Sequence, residues 1–193
     1  MAWQIEQWMC DVFPGSDRIY SEFRLLPRNE LAVISEAVLD TALAELLSRR
    51  FSAPESEIRS FRGASGDGRA PCGSFGARIQ LARLTNVITP SDSIVLRTIK
   101  NIRNQFAHEG RADFNSASVL PHMIKLLDQF LIRSNELIEA GHLKGDPHLL
   151  TTIRRFLPTT PEAGAALLLA VFVCYQTYFH RLYKELQPMR LFG

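Results

Sequence analysis

Apolar residues recur three and four positions apart along most of this chain, and no stretch alternates over a useful strand length. The clearest pattern runs over 89–110. Val95, Leu96, Ile99, Ile102 and Phe106 form one stripe of a helix whose two ends are marked. Thr89 can cap the first turn, Pro90 suits the first helical position, and Asp92 stands where the helix dipole favours an anion. Gly110 supplies a stop signal. A second long pattern covers about 30–50, with Asn29 as its expected cap. Leu31, Ile34, Val38, Ala42 and Leu46 make its stripe, and Val33, Ala37, Leu39 and Leu43 extend apolar character around the cylinder. A helix apolar on most sides belongs in the centre of its domain.

The other segments follow the same logic. Ser74 caps a helix over about 75–86, with Ile79 and Ala82 inward. The stretch 119–140 is helical, with Ile124, Leu127, Leu131, Ser134 and Ile138 as its inner line and Pro121 in its first turn or kinking it. Thr160, Pro161 and Glu162 open a last long helix reaching about 187, apolar in its first half and amphipathic through His180, Arg181, Lys184 and Glu185. Two short helices are expected: one opened by Ser16 and Asp17 with Ile19, Phe23 and Leu26, one over 151–157 cut by Pro158. Between 51 and 73, Pro54, Gly63, Gly66, Gly68 and Pro71 predict an exposed or mobile loop with one helical turn. The expected fold is all-α, a single bundle-like domain over 1–193. Its parts are an N-terminal strap (1–28), a helical core (29–140) and a C-terminal turn with a core helix (141–193).

Composition changes this picture little. The 193 residues suffice for one sizeable core, and 46% hydrophobic with 22% charged is ordinary soluble chemistry. A net charge of +2 is too balanced to argue for nucleic acid or a membrane surface. Cys10, Cys72 and Cys174 are odd in number, far apart and without metal-ligand spacing. With no basic-then-apolar leader, they point to a reducing cytoplasm. The apolar run 163–175 is shorter than the ~18–20 residues of a membrane span, so a buried core helix is expected there. No cofactor or metal is expected: His142 and His148 have only Asp146 between them, and the glycine-rich 63–69 lacks the ending of a phosphate loop. The strap, with Trp3, Ile5, Trp8, Met9, Val12 and Phe13, either packs on the core or docks a second subunit. That strap and the apolar C-terminal helix motivate the expectation of a homodimer.

One residue breaks the hydrophobic pattern. Arg103 falls inside the 89–110 stripe, between Ile99 and Phe106, while Asn104 and His108 share the opposite side. A guanidinium facing a core needs a carboxylate or several carbonyls, because an unpaired buried charge costs several kcal/mol. Asp40 and Glu45 on the 30–50 helix are the candidate partners.

The run Arg103-Asn104-Gln105-Phe106-Ala107-His108 resembles the motif of the HEPN superfamily of helical domains, an arginine followed after four residues by histidine. The order of motifs is similar to that of the mannitol operon repressor family. Gly73-Ser74-Phe75-Gly76-Ala77-Arg78-Ile79 comes first, then a short helix, then the Arg-Asn-x-Phe-Ala-His helix. The pairs Leu39-Asp40 and Leu46-Leu47 also resemble that family's first helix, and the likeness covers roughly 30–114. It implies a helical regulator of transcription in which Asp40, Glu45, Arg78 and Phe106 belong to the structural motif. No basic recognition helix is apparent, so a protein partner is expected and direct DNA binding is not. The HEPN likeness implies the alternative, a metal-independent ribonuclease acting on RNA across a dimer. Arg103 would bind phosphate oxygens, Asn104 would assist, and His108 would move protons. Arg103 and His108 lie about 140° apart on an ideal helix, so they converge only if the helix end unwinds or two subunits contribute.

Overall fold

A computed structural model describes residues 25–51, 53–63, 70–110, 112–140, 154–157 and 159–187. The expected strap and the short helix after Asp17 lie almost wholly outside these residues, as do the tip of the glycine-rich stretch and the turn with His142 and His148. The fold is all-α. Six long elements follow one another: α1 (Arg28–Arg50), α2 (Glu55–Arg62), α3 (Phe75–Leu84), α4 (Pro90–His108), α5 (Leu120–Glu139) and α6 (Pro161–Glu185). A further helical turn covers 154–156, and no strand occurs among the described residues.

The best-marked helix forms as its sequence dictates. Thr89 and Asp92 make a reciprocal capping box at the start of α4: the Asp92 N–H donates to Thr89 Oγ1, and the Thr89 N–H donates to Asp92 Oδ2. At the other end Glu109 is the cap and Gly110 is not left-handed, so the chain leaves α4 without the glycine turn expected of it. Ser74 caps α3 by accepting the Ala77 N–H. That helix stops at Leu84, two residues early, because Asn86 takes a left-handed conformation (φ 53°) and both Val87 N–H and Ile88 N–H turn back to the Ala82 carbonyl. The cap of α1 is Pro27 rather than Asn29. Its carbonyl accepts the Leu31 N–H, and Asn29 lies inside the first turn.

Two further expectations need correction. The stretch after Pro54 holds an eight-residue helix, α2, where a single turn was expected; Pro54 starts it and Gly63, at φ 66°, ends it in a conformation suited to glycine. The inner face of α5 is also rotated. Met123, Leu126, Leu127, Phe130, Ser134 and Leu137 are buried, whereas Ile124 and Ile138 are exposed. Two apolar lines compete on that helix, and the one with the larger side chains faces the core.

The central helix α1 packs against α6, α4 and α3, while α4 also packs against α5 and α3. Leu167, Leu168, Val171 and Phe172 in the first half of α6, with Tyr175 and Phe179 further on, enter the interior. This helix is long and apolar enough to cross a membrane, yet 56% of its most apolar window is buried inside the fold. More than half of that window is therefore used inside the fold. Where α6 begins, Gly164 passes so close to Phe114 that any Cβ there would collide with the ring. Phe114 in turn meets Phe106 edge to face, 5.0 Å between centroids. The end of the motif helix is thus held by aromatic packing.

Candidate functional site

Phe106 points into the core and Arg103 lies at its border. The Arg103 side chain is 39% exposed, and Nη1 donates to Asn104 Oδ1 at 3.3 Å. Its nearest carboxylate is Glu36 on α1, with Oε2 3.9 Å from Nε, and Nε has no hydrogen-bond partner. Neither expected partner reaches Arg103. Asp40 is taken by Arg78 and Glu45 by Arg62. The reason is the phase of α1. Glu36 and Asp40 share one side a turn apart; α3 presents Arg78 to Asp40, which leaves Arg103 beside Glu36. His108 is exposed at the end of α4 and Asn104 is half-buried. The helix runs without interruption through His108, so Arg103 and His108 do not converge within one chain.

Arg78 and Asp40 form a buried ion pair, with side chains 3% and 8% exposed. Arg78 Nη2 also donates to the Arg62 carbonyl at 3.1 Å, and Arg62 Nη1 donates to Glu45 Oε1 at 2.8 Å and Ser48 Oγ at 3.2 Å. Burial pushes the Asp40 carboxyl above its usual range, opposed by the hydrogen bond and charge of Arg78. Burial raises Glu36 as well, helped by the charge of Asp40 and opposed by Arg103, Lys100 and Arg78. The Lys100 ammonium lies against Gly76, where an added Cβ would stand 2.7 Å from Nζ. The junction of α1, α3 and α4 therefore carries a mixed-charge layer beside its apolar core.

A second buried network was not anticipated. Asp92 is completely buried. Arg133 of α5 grips it with two hydrogen bonds, Nε to Oδ1 at 2.6 Å and Nη2 to Oδ2 at 3.2 Å. Tyr175 of α6 donates its hydroxyl to Oδ1 at 3.0 Å, and Thr89 donates both N–H and hydroxyl to Oδ2 at 2.9 Å. Tyr178 stands at 3.5 Å, its ring 5.0 Å under the Arg133 guanidinium. Glu136 accepts from Arg133 Nη1 at 2.9 Å and from Ser91 at 3.3 Å. One carboxylate thus joins the start of α4 to α5 and α6. Burial pushes the Tyr175 hydroxyl well above its ordinary range, aided by the negative charge of Asp92. The sequence held a signal for this: Arg133 sits between Phe130 and Leu137 and breaks the α5 stripe as Arg103 breaks that of α4.

Most other described arginines also meet partners within the chain. Arg28 bridges Asp113 and Glu162, Arg154 meets Asp128, and Arg181 meets Glu185. Arg49 lies over Tyr183 and Arg155 over Phe156, while Arg83 donates to Asn86. Among the described residues, no group of three or more His, Cys, Asp or Glu side chains is placed to hold a metal ion.

Comparison with known protein families, curated proteins and solved structures gives no match for this chain.

Proposed function

We propose that this chain is a regulatory module acting through contacts with other proteins, the role implied by its resemblance to the mannitol operon repressor family, and that it does not itself read DNA. One observation carries this reading: most of its described arginines meet the chain's own carboxylates and rings. Arg78 is buried against Asp40, Arg133 against Asp92, and Arg62 and Arg28 bind Glu45 and Asp113. A groove-binding surface needs several free cations on one face, each neutralising a phosphate. The test is retention of the DNA upstream of its own coding region. Purified protein alone should leave that fragment unshifted at ~0.15 M salt, where non-specific contacts are already weak. Protein plus clarified native cytosol should retain it. A tight, sequence-dependent shift by the purified protein alone would overturn the reading.

A second reading is favoured by one specific feature. Arg103 is not saturated by a carboxylate, and both it and His108 reach solvent. A HEPN-type ribonuclease would use Arg103, Asn104 and His108 from two subunits on one RNA phosphate. Because Arg103 is half-exposed and makes no close ion pair, Arg103→Ala should shift the stability by under about 1 kcal/mol. That variant and His108→Ala therefore report on chemistry rather than folding. Metal-free cleavage of single-stranded RNA, abolished by either change in a protein of unaltered melting temperature, would establish the ribonuclease. Equal RNA recovery with all three proteins removes it.

A further inference from the structure

We propose that α2 is a hinged lid, latched by Arg62 over the buried Asp40–Arg78 pair and the Cys72 thiol, and that it opens as a unit while the rest of the bundle stays folded. The inference stands apart from the regulatory reading, since a scaffold or an enzyme would carry it equally.

The helix differs from its neighbours in how it is held. None of its described side chains is buried: Ile58 is half-buried and Phe61 exposed. It takes no part in the main helix–helix packing, which runs through α1, α3, α4, α5 and α6. Polar attachments gather at its C-terminal end. Arg62 Nη1 reaches Glu45 Oε1 and Ser48 Oγ on α1, the Arg62 carbonyl accepts from Arg78, and the Phe61 carbonyl accepts the Cys72 N–H at 3.0 Å. The Phe51 and Phe61 rings meet edge to face at 6.3 Å. Polar, partly exposed contacts of this kind open at far lower free energy than a packed core helix.

Both ends can turn. Pro54 precedes the helix, and Gly63 ends it at φ 66°, ψ 174°, a conformation reserved for glycine. The groups beside the C-terminal end of α2 are unusual for an interior. Asp40 Oδ1 and Arg78 Nε are buried without a hydrogen-bond partner, so water reaching them in the open form offsets part of the cost of opening. Cys72 is 3% exposed and tied through its backbone to the lid, whereas the other described thiol, Cys174, is buried in α6 among the core helices. The two thiols therefore report two different openings.

The experiment is N-ethylmaleimide labelling of the full native chain, with Cys72 and Cys174 resolved by peptide mass spectrometry. Cys72 should label at least about tenfold faster than Cys174, because only Cys174 requires global unfolding. Arg62→Ala should speed Cys72 by about five- to tenfold, the loss of one charge-assisted latch, and leave Cys174 unchanged. Arg154→Ala removes the exposed pair with Asp128 and should alter neither rate. Equal labelling of the two thiols in the unaltered protein overturns the proposal. So does an Arg62→Ala variant that speeds both thiols together, or that leaves Cys72 unchanged.

Discussion

Asp92→Ala should remove ~3–5 kcal/mol of stability, the cost of leaving a buried charge without its partner. The substitution strands the Arg133 guanidinium and the Tyr175 hydroxyl in the interior and takes away the N-terminal box of α4. Set against a total of roughly 5–15 kcal/mol for a typical domain, that is a large fraction of the stability. Asp92→Asn keeps the shape and part of the capping but not the charge, so it should fall between the two and stay folded enough for urea denaturation. Arg133→Met should cost less than Asp92→Ala. Thr89 and Tyr175 still donate to the carboxylate, and the methionine replaces part of the buried stem. A melting curve for Asp92→Ala that overlays that of the unaltered protein would mean that α4, α5 and α6 do not depend on this carboxylate.

Arg78→Met is the second large effect expected. Asp40 then keeps its burial and loses the one side chain bonded to it, for a loss again of ~3–5 kcal/mol near neutral pH. The pH dependence follows from the direction of its shift. Burial already raises Asp40 and Arg78 opposes that rise, so without Arg78 the folded-state affinity for a proton must climb further. A carboxyl bound more tightly to its proton in the folded state destabilises above its folded-state range and is relieved as the pH falls through it. The deficit of Arg78→Met should therefore shrink as the pH is lowered toward the carboxylate range. Replacing both residues together, Asp40→Leu with Arg78→Met, should recover most of the loss at neutral pH, because a buried pair is often matched by apolar side chains of similar volume. A double variant as unstable as the single one would show that the pair holds α3 on α1 in a way apolar packing cannot replace.

The helices were legible because local signals decide them. Thr89, Pro90 and Asp92 mark the start of α4, and Ser74 that of α3, through hydrogen bonds made within three residues. Partner choice was not legible. Asp40, Glu45 and Glu36 all lie on α1, and which of them Arg103 meets depends on where α3 and α2 bring Arg78 and Arg62. The face of α5 failed for a related reason: Ile124 and Ile138 fit the helical period as well as Met123 and Leu137, and only the packing of α4 and α6 separates them. Asp92 read as a capping residue and is one. Its second role, as an interior anion shared by Arg133 and Tyr175, joins residues 41 and 83 positions away, beyond the reach of any local pattern.

That the described arginines of this chain mostly serve its own carboxylates and rings, leaving no basic face, is tested most directly by anisotropy of a fluorescent DNA duplex titrated with purified protein between ~0.05 and ~0.2 M salt, where each phosphate contact contributes about −0.9 to the logarithmic slope. The expected result is weak binding at the lowest salt, a slope of no more than about two contacts, and no saturable binding at ~0.15 M. Saturable binding at that salt, with a slope of about six contacts or more, would mean that a basic face exists and that the protein holds nucleic acid by itself.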